Sequence, residues 1–307
     1  MSNDQPLISI VTLTWNQTEV TCQFLESTRH LTYKNYEILV CDMGSEVDPT
    51  ERINSANYPN TRVLRSEKNL GFTGGNNWGM RQAKGDYVFI VNNDTEVTPE
   101  LLDVLIQPFF DDPTIGVTCP KIRFYQQPDM IQYAGFNPIN VFTGRTTAVG
   151  SKETDRGQCD VSGYTHGAHG CAMLVSREII NKVGMFPENF FIYYEEWDWS
   201  ARILKAGVSY LLSGQGADLP QGIDHDGQEE RHQGLLPYPQ PHSLHAEKYC
   251  MVSVCSVHNF LYFGRGAKGH HYVPFETAIR TPAIVYKRDY LEPDRVKIFT
   301  CIKNPFK

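Results

Sequence analysis

The chain has 307 residues, 41% of them hydrophobic, 21% charged and 12% aromatic, a mixture that supplies a core and excludes global disorder. With 28 Lys+Arg against 35 Asp+Glu the formal charge is -7, which argues against a basic surface that coats nucleic acid and leaves room only for a local basic patch. No apolar run reaches bilayer-spanning length, the polar N-terminal stretch is no secretory signal, and the eight cysteines include no CxxC pair, so they read as reduced, mostly buried thiols of a cytoplasmic protein.

In chain order, Ile8 to Thr14 is a β-rich apolar run that predicts a strand buried on both faces. Asn16 and Thr18 are N-cap candidates, and Val20 to Leu31 has helical spacing. Tyr36 to Cys41 predicts a second strand, ended by Asp42, and Arg62 to Arg65 a short third. Asn76 to Ala83 predicts a helix that follows a glycine-rich loop. Gly71, Gly74 and Gly75 in that loop would let the backbone pass close to a ligand or take positive φ. The Lys-Ser/Thr ending of a Walker loop is absent. Asp86 to Val91 predicts a fourth strand and Pro99 to Phe109 a helix with proline near its start.

This alternation implies a parallel sheet with crossover helices, whose ligands bind beyond the carboxyl ends of the strands. Three of the strands run into polar residues: Asn16, Asp42 and Asn92-Asn93-Asp94. Beyond them, Gly116 to Phe124 is strand-like, and residues 125 to 165 read as loops and short strands over the site. Cys171 to Val175 predicts a buried strand, Arg177 to Val183 a helix, and Tyr194 to Ala206 a strongly patterned helix.

Three stretches together resemble one family: Asn69 to Gly79, Gly85 to Val97 and Phe190 to Arg202. In order and spacing they are similar to the inverting nucleotide-sugar glycosyltransferases of family two, of GT-A fold. The rhamnosyltransferase-like enzymes of bacterial surface-polysaccharide synthesis are the nearest branch. The resemblance runs from Leu7 to Gly207. It implies an α/β fold of GT-A (Rossmann-like) type, a mostly parallel sheet flanked by helices; the residues after Gly207 add an irregular C-terminal appendage. It implies a nucleotide-diphosphate sugar as donor and a glycan or lipid-linked acceptor. Nucleic acid is not an expected partner, and peripheral association with the inner face of the cell membrane follows from a lipid-linked acceptor.

The resemblance places Asn92-Asn93-Asp94 where the family has its DXD-type motif, with Asp94 as the one charged ligand for Mg²⁺ or Mn²⁺. Asn92 would contact sugar or ribose and Asn93 would shape the turn; a merely polar turn is the plain alternative. Asp42 resembles the family's base- and ribose-binding carboxylate, against a plain turn aspartate. Thr12, Thr14, Asn16, Asn69, Gly71 and Asn76 are further donor-side candidates, and capping alone would also account for Asn76. An inverting transfer needs a base for the acceptor hydroxyl opposite the departing diphosphate. Glu195 and Glu196 are adjacent and so point about 100° apart on a helix. The family's pattern favours Glu196 as base, with Glu195 orienting nearby groups. The acidic first turn alone would also suit a helix dipole. Asp198 is spaced to pair with Arg202. Gly170, in a segment that resembles the family's acceptor side, and Trp197 are acceptor candidates. His166 and His169 suit hydrogen bonding better than metal binding.

After Gly207 the text changes. The domain reading is therefore 1–207 for the transferase and 208–307 for an atypical region. That region shows neither helical nor strand period and is crowded with Gln, Gly, Pro and His. His225, His232, His242 and His245 match nothing in the family. Permissible codons for Gln215 to Tyr249, read one base later, yield a His-Lys pair and then a Tyr-Tyr…Arg-Asn segment, as the family has them. The expectation is a frameshift shortly after Gly207. The competing functions are a nucleotide-sugar-binding protein without competent catalysis and a nucleotidyltransferase, though the latter's basic N-terminal signature is missing after Thr14. Resequencing the codons for Ala206 to Tyr249 is expected to reveal the shift; an intact frame with clean homologues of this tail would refute it.

Overall fold

The computed structural model describes residues 5–140, 143–221, 284–287 and 297–300. The chain divides into two units, Met1–Gln240 and Pro241–Lys307. Within the second, Ile284–Lys287 and Lys297–Thr300 pair as an antiparallel ribbon. His225, His232, His242 and His245 and most of the proposed shifted text lie outside the described residues.

In the first unit, β1 (Ile8–Thr14) is the pivot. Ile8, Ser9, Ile10, Val11 and Thr12 are all buried, as a strand covered on both faces requires. It pairs in parallel with β2 (Tyr36–Asp42) on one side and with β4 (Tyr87–Val91) on the other. β3 (Thr61–Arg65) extends the sheet beyond β2. The chain thus adds β2 and β3 outward from β1, then returns to β1's other side for β4. That reversal parts the connections at the ends of β1 and β4 and opens a crevice there. Helices α1 (Thr18–Thr28), α2 (Thr50–Ser55) and α3 (Gly71–Gln82) make the crossovers.

Past β4, α4 (Leu101–Asp111) leads to β5 (Ile115–Phe124), with β6 (Ile131–Tyr133) on its edge. β7 (Gly163–Thr165), β8 (Ala172–Ser176) and the helices α5 (Arg177–Val183) and α6 (Glu195–Lys205) follow. β8 runs antiparallel between β4 and β5. The nine strands lie in the order β3-β2-β1-β4-β8-β5-β9-β7, with β6 off β5.

The last of them, β9 (Ser209–Gln221), corrects the sequence reading, which placed no element there. It pairs in parallel with β5, with a register shift at Pro120/Lys121, and antiparallel with β7. Its ladder is set by those partners and leaves no local period to read. The sheet therefore continues past Gly207.

Helix α3 is the second correction. It begins at Gly71, five residues before the predicted Asn76, and takes in the supposed glycine-rich loop. Glycine is a poor helix former, so packing must compensate. A Cβ at Gly75 would lie 2.7 Å from the Met43 sulfur, and one at Gly79 would lie 2.5 Å from the Val11 side chain. The glycines bring the helix onto β1 and β2. Replacing Gly79 with valine is expected to lower unfolding stability by about 1–3 kcal/mol through overpacking. Urea denaturation checks this, and an unchanged midpoint would show that the face has room.

Candidate active site

A cavity of about 490 Å³ opens at the parted ends of β1 and β4. From β1's end come Leu13, Thr14, Trp15 and Gln17; from β4's end come Asn92, Asn93 and Asp94. The segment before β8 adds His169, Gly170 and Cys171, and the start of α6 adds Tyr193, Glu195 and Glu196. Gly71 and Phe72 of α3 and Met43 after β2 complete much of the wall.

The Asn92-Asn93-Asp94 turn is tied down on two sides. The Asn92 N–H donates to the Cys171 carbonyl at 2.9 Å. The Asn93 amide donates to Thr21 Oγ1 at 3.0 Å and to Gln17 Oε1 at 3.3 Å, and Thr21 Oγ1 in turn donates to Thr14 Oγ1 at 2.9 Å. Asn93 thus faces α1, while Asp94 is 7% exposed at the cavity. Its charge, after burial, helps to hold the Cys171 thiol well above its usual range.

Helix α6 is fixed from behind. The Trp199 indole N–H donates to the Gly184 carbonyl at 2.7 Å. Arg202 pairs with Asp198 at 2.7 Å, as its spacing predicts, and also caps the carbonyls of Val183 and Met185. Asn77 of α3 was not foreseen. Its side chain donates to the Phe186 carbonyl at 2.8 Å and accepts from the Phe186 N–H at 3.1 Å. That reciprocal pair spans 109 residues, so no local signal marks it.

The loop from Phe186 ends in two consecutive left-handed residues, Tyr193 (φ 73°) and Tyr194 (φ 70°). Such conformations are uncommon for bulky side chains and persist only where the surroundings impose them. Here Phe191 abuts Gly71, where a Cβ would sit 2.6 Å from its ring. Its carbonyl also accepts from the Thr73 N–H at 3.4 Å. The turn delivers Glu195 and Glu196 to the cavity wall.

Of the residues singled out in the sequence, Thr14, Gly71, Asn92, Asn93, Asp94, Gly170, Glu195 and Glu196 share this cavity. Thr12, Asn16, Asp42, Asn69, Asn76 and Trp197 do not line it. Asp42 is fully buried: Oδ1 accepts from the Ser45 N–H and hydroxyl, and Oδ2 accepts from Arg65 at 2.8 Å. Asn16 ties the end of β1 to that same cluster through Ser45 and Glu46. Asn69 caps the Gly71 N–H at 2.8 Å, Asn76 bonds its own helix at Phe72, and Trp197 packs on Phe136 at 4.3 Å between centroids. Trp15 and Gln17 line the cavity without having been singled out. Among the described residues no group of three or more His, Cys, Asp or Glu forms a metal cluster. The described cysteines are all free thiols, and no described helix is long and apolar enough to cross a membrane.

The sequence model described as Glycosyl transferase family 2 matches residues 9–184. The N-acetylglucosaminyl-diphospho-decaprenol L-rhamnosyltransferase of Mycobacterium tuberculosis is 26% identical over 224 residues, 66% of this chain and 71% of its own length. The uncharacterized glycosyltransferase YwdF of Bacillus subtilis is 35% identical over 95 residues, 30% of this chain and 34% of its own. Among solved structures, GalNAc-T7 with UDP, GalNAc and Mn²⁺ superposes with a TM-score of 0.61 at 18% identity, covering 78% of this chain and 46% of that one. The mannosyltransferase PcManGT from Pyrobaculum calidifontis, in complex with GDP-Man and Mn²⁺, gives 0.52 at 14% identity, covering 73% and 59%. These likenesses show the GT-A fold.

Glu195 is 3% exposed, and its carboxyl is pushed up to about 7, first by burial and then by the charge of Glu196. Burial also raises Glu196. The folded chain therefore keeps a proton on Glu195 that the unfolded chain releases near its ordinary 4.5. Below that lower value both states hold the proton and the carboxyl costs nothing; stability is lost as pH rises to about 7, and the cost is constant above. Glu195→Gln, which mimics the protonated acid, removes the cost. Thermal melts are expected to show the variant more stable than wild type by up to about 3 kcal/mol near pH 8, and by little near pH 4. An equal difference at both pH values would refute the raised carboxyl.

Proposed function

This chain belongs to glycosyl transferase family 2 and is a glycosyltransferase, and on that premise we propose an inverting, metal-dependent sugar transfer in bacterial surface-polysaccharide synthesis. The donor is a nucleotide-diphosphate sugar and the acceptor a glycan or a lipid-linked glycan. One observation carries the reading: Asp94 and the Glu195-Glu196 pair line one cavity at the β1/β4 crevice. Residues that would hold a leaving diphosphate and a residue that would take a proton are thus within one substrate's reach.

The donor set suits a hard cation. Asp94 supplies a single carboxylate, Asn92 beside it can add an amide oxygen, and no histidine–cysteine cluster competes among the described residues. Mg²⁺ or Mn²⁺ accepts so few protein ligands because diphosphate oxygens and water complete its shell. When bound, it would neutralise charge that develops on the leaving diphosphate. The Mn²⁺ held by the two similar solved proteins supports this choice.

Glu196 is the base. Its half-buried carboxylate, raised by desolvation, accepts a proton more readily than an exposed one would. The acceptor oxygen forms its bond to the anomeric carbon and gives its proton to Glu196. The bond from that carbon to the phosphate oxygen breaks, and its electron pair leaves with the nucleoside diphosphate. Glu195, with its carboxyl pushed up to about 7, is about half protonated at neutral pH, and in that protonated form it would donate a hydrogen bond and not compete as base. Thr14, Gly71 and Asn92 touch the donor, and Gly170 leaves room for the acceptor. Asn16, Asp42, Asn69 and Asn76 hold the backbone around the donor, and Trp197 backs the acceptor side through Phe136. A lipid-linked acceptor would bring the chain to the inner face of the cell membrane.

The test is calorimetric titration with UDP-, GDP- and dTDP-sugars, beside an assay of nucleoside diphosphate release. Asp94→Ala is expected to abolish Mg²⁺- or Mn²⁺-dependent donor binding. Glu196→Gln is expected to keep donor binding and to lower turnover about 10²–10⁴-fold. Wild-type donor affinity in the first variant, or wild-type turnover in the second, would overturn these roles.

A further inference from the structure

We propose that His169 is a sugar-binding residue of this cavity, whose Nε2–H donates a hydrogen bond to a hydroxyl of the transferred sugar. The inference rests on the nucleotide-sugar reading above and names a contact that reading leaves open.

The ring's orientation is fixed by its own neighbours. His169 Nδ1 accepts from the Cys171 backbone N–H at 3.1 Å. A nitrogen that accepts there carries no proton, so the neutral ring is protonated at Nε2. The imidazole stacks on Phe136 at 6.2 Å and 18°, and Tyr133 lies 5.5 Å away at a tilt. Tyr133 is itself held, its hydroxyl donating to the Gly167 carbonyl at 2.8 Å. Phe136 is backed by Trp197 of α6. These contacts leave the imidazole little room to swing. Among the described residues it makes no second hydrogen bond, and it lines the cavity beside Asp94 and the Glu195-Glu196 pair.

The loop is also joined to the reacting region. The Cys171 carbonyl, two residues on, receives the Asn92 N–H at 2.9 Å. His169 is thus coupled through backbone to the turn that carries Asp94, and through Phe136 and Trp197 to the helix that carries Glu196. A sugar lying between a diphosphate at Asp94 and an acceptor at Glu196 would pass this ring.

The chemistry selects a hydroxyl over the alternatives. Burial pushes the imidazole down to about 4, so it is uncharged near neutral pH and offers no cation to a diphosphate. With Nδ1 occupied and Nε2 protonated, the ring has no free lone pair for a metal or for an acceptor's proton. One N–H remains, and a sugar hydroxyl accepts it. A site built to bond a hydroxyl discriminates against ligands that lack it.

The experiment compares a nucleotide sugar with its own nucleoside diphosphate on the full-length chain, by calorimetric titration with Mn²⁺ present. His169→Phe keeps the stacked ring and deletes the donor; His169→Gln restores an N–H. The Phe variant is expected to bind the nucleotide sugar about five- to tenfold more weakly. Its affinity for the nucleoside diphosphate should stay within about twofold of wild type, and the Gln variant should recover part of the loss. Should the Phe variant not fold, His169→Met against His169→Gln makes the same comparison at matched size. Equal weakening of both ligands, or none, would overturn the role of His169 and leave the transferase reading standing. A wild-type chain that binds nucleoside diphosphate but no nucleotide sugar would overturn the transferase reading and this inference with it.

Discussion

Carboxylates belong in water, and the design of this domain follows from withholding water from them. Asp94 and Glu195 are buried at one cavity, and Glu196 is half-buried beside them. Glu195 and Glu196 stand at the start of α6, where the helix dipole favours negative charge and should lower their pKa values. Both are raised all the same, burial being the first cause. That burial demands a rigid wall, because a wall that yielded would let water in and release the shift. The Trp199, Arg202 and Asn77 bonds behind α6 supply the rigidity.

The same constraint explains why the polar residues fall into two tiers. One tier faces the cavity: Thr14, Asn92, Asp94 and the glutamates. The other lies behind it, bonded to the chain's own turns. Asp42 is the clearest member, accepting from Ser45 and Arg65 although it ends a strand that points toward the crevice. Asn16, Asn69 and Asn76 spend their side chains on nearby backbone in the same way. A buried polar group must find partners, and in this second tier the partners are the chain's own turns. These residues shape the floor on which the first tier stands.

That division marks the limit of what the sequence disclosed. The strands from Ile8 to Val91 were legible because a doubly covered strand is a short apolar run, and α5 begins and ends where the pattern of Arg177 to Val183 puts it. Asp94 and the glutamates were legible because charge at a strand end or helix start stands out. Nothing local separates Asp42 from Asp94, however: the Arg65 that pairs with Asp42 is 23 residues away. Helix α3 was cut short because glycine lowers helix propensity, while its close approach to Val11 and Met43 is a tertiary fact. β9 was missed for a related reason, since it owes its extended form to β5 and β7.

Gly71 shows how one residue can serve both levels. Its φ of +72° alone would favour glycine there. The Phe191 ring and carbonyl, each 2.6 Å from where a Cβ would lie, exclude every other side chain a second time. That contact seats the loop that ends in the left-handed Tyr193 and Tyr194. A side chain at 71 would therefore act far from its own turn. It would lift Phe191, remove the support under two unfavourable backbone conformations, and let α6 start elsewhere. Glu195 would then no longer be held at the wall. What reads as a loop glycine near a ligand is in this fold the seat on which the acidic end of α6 rests.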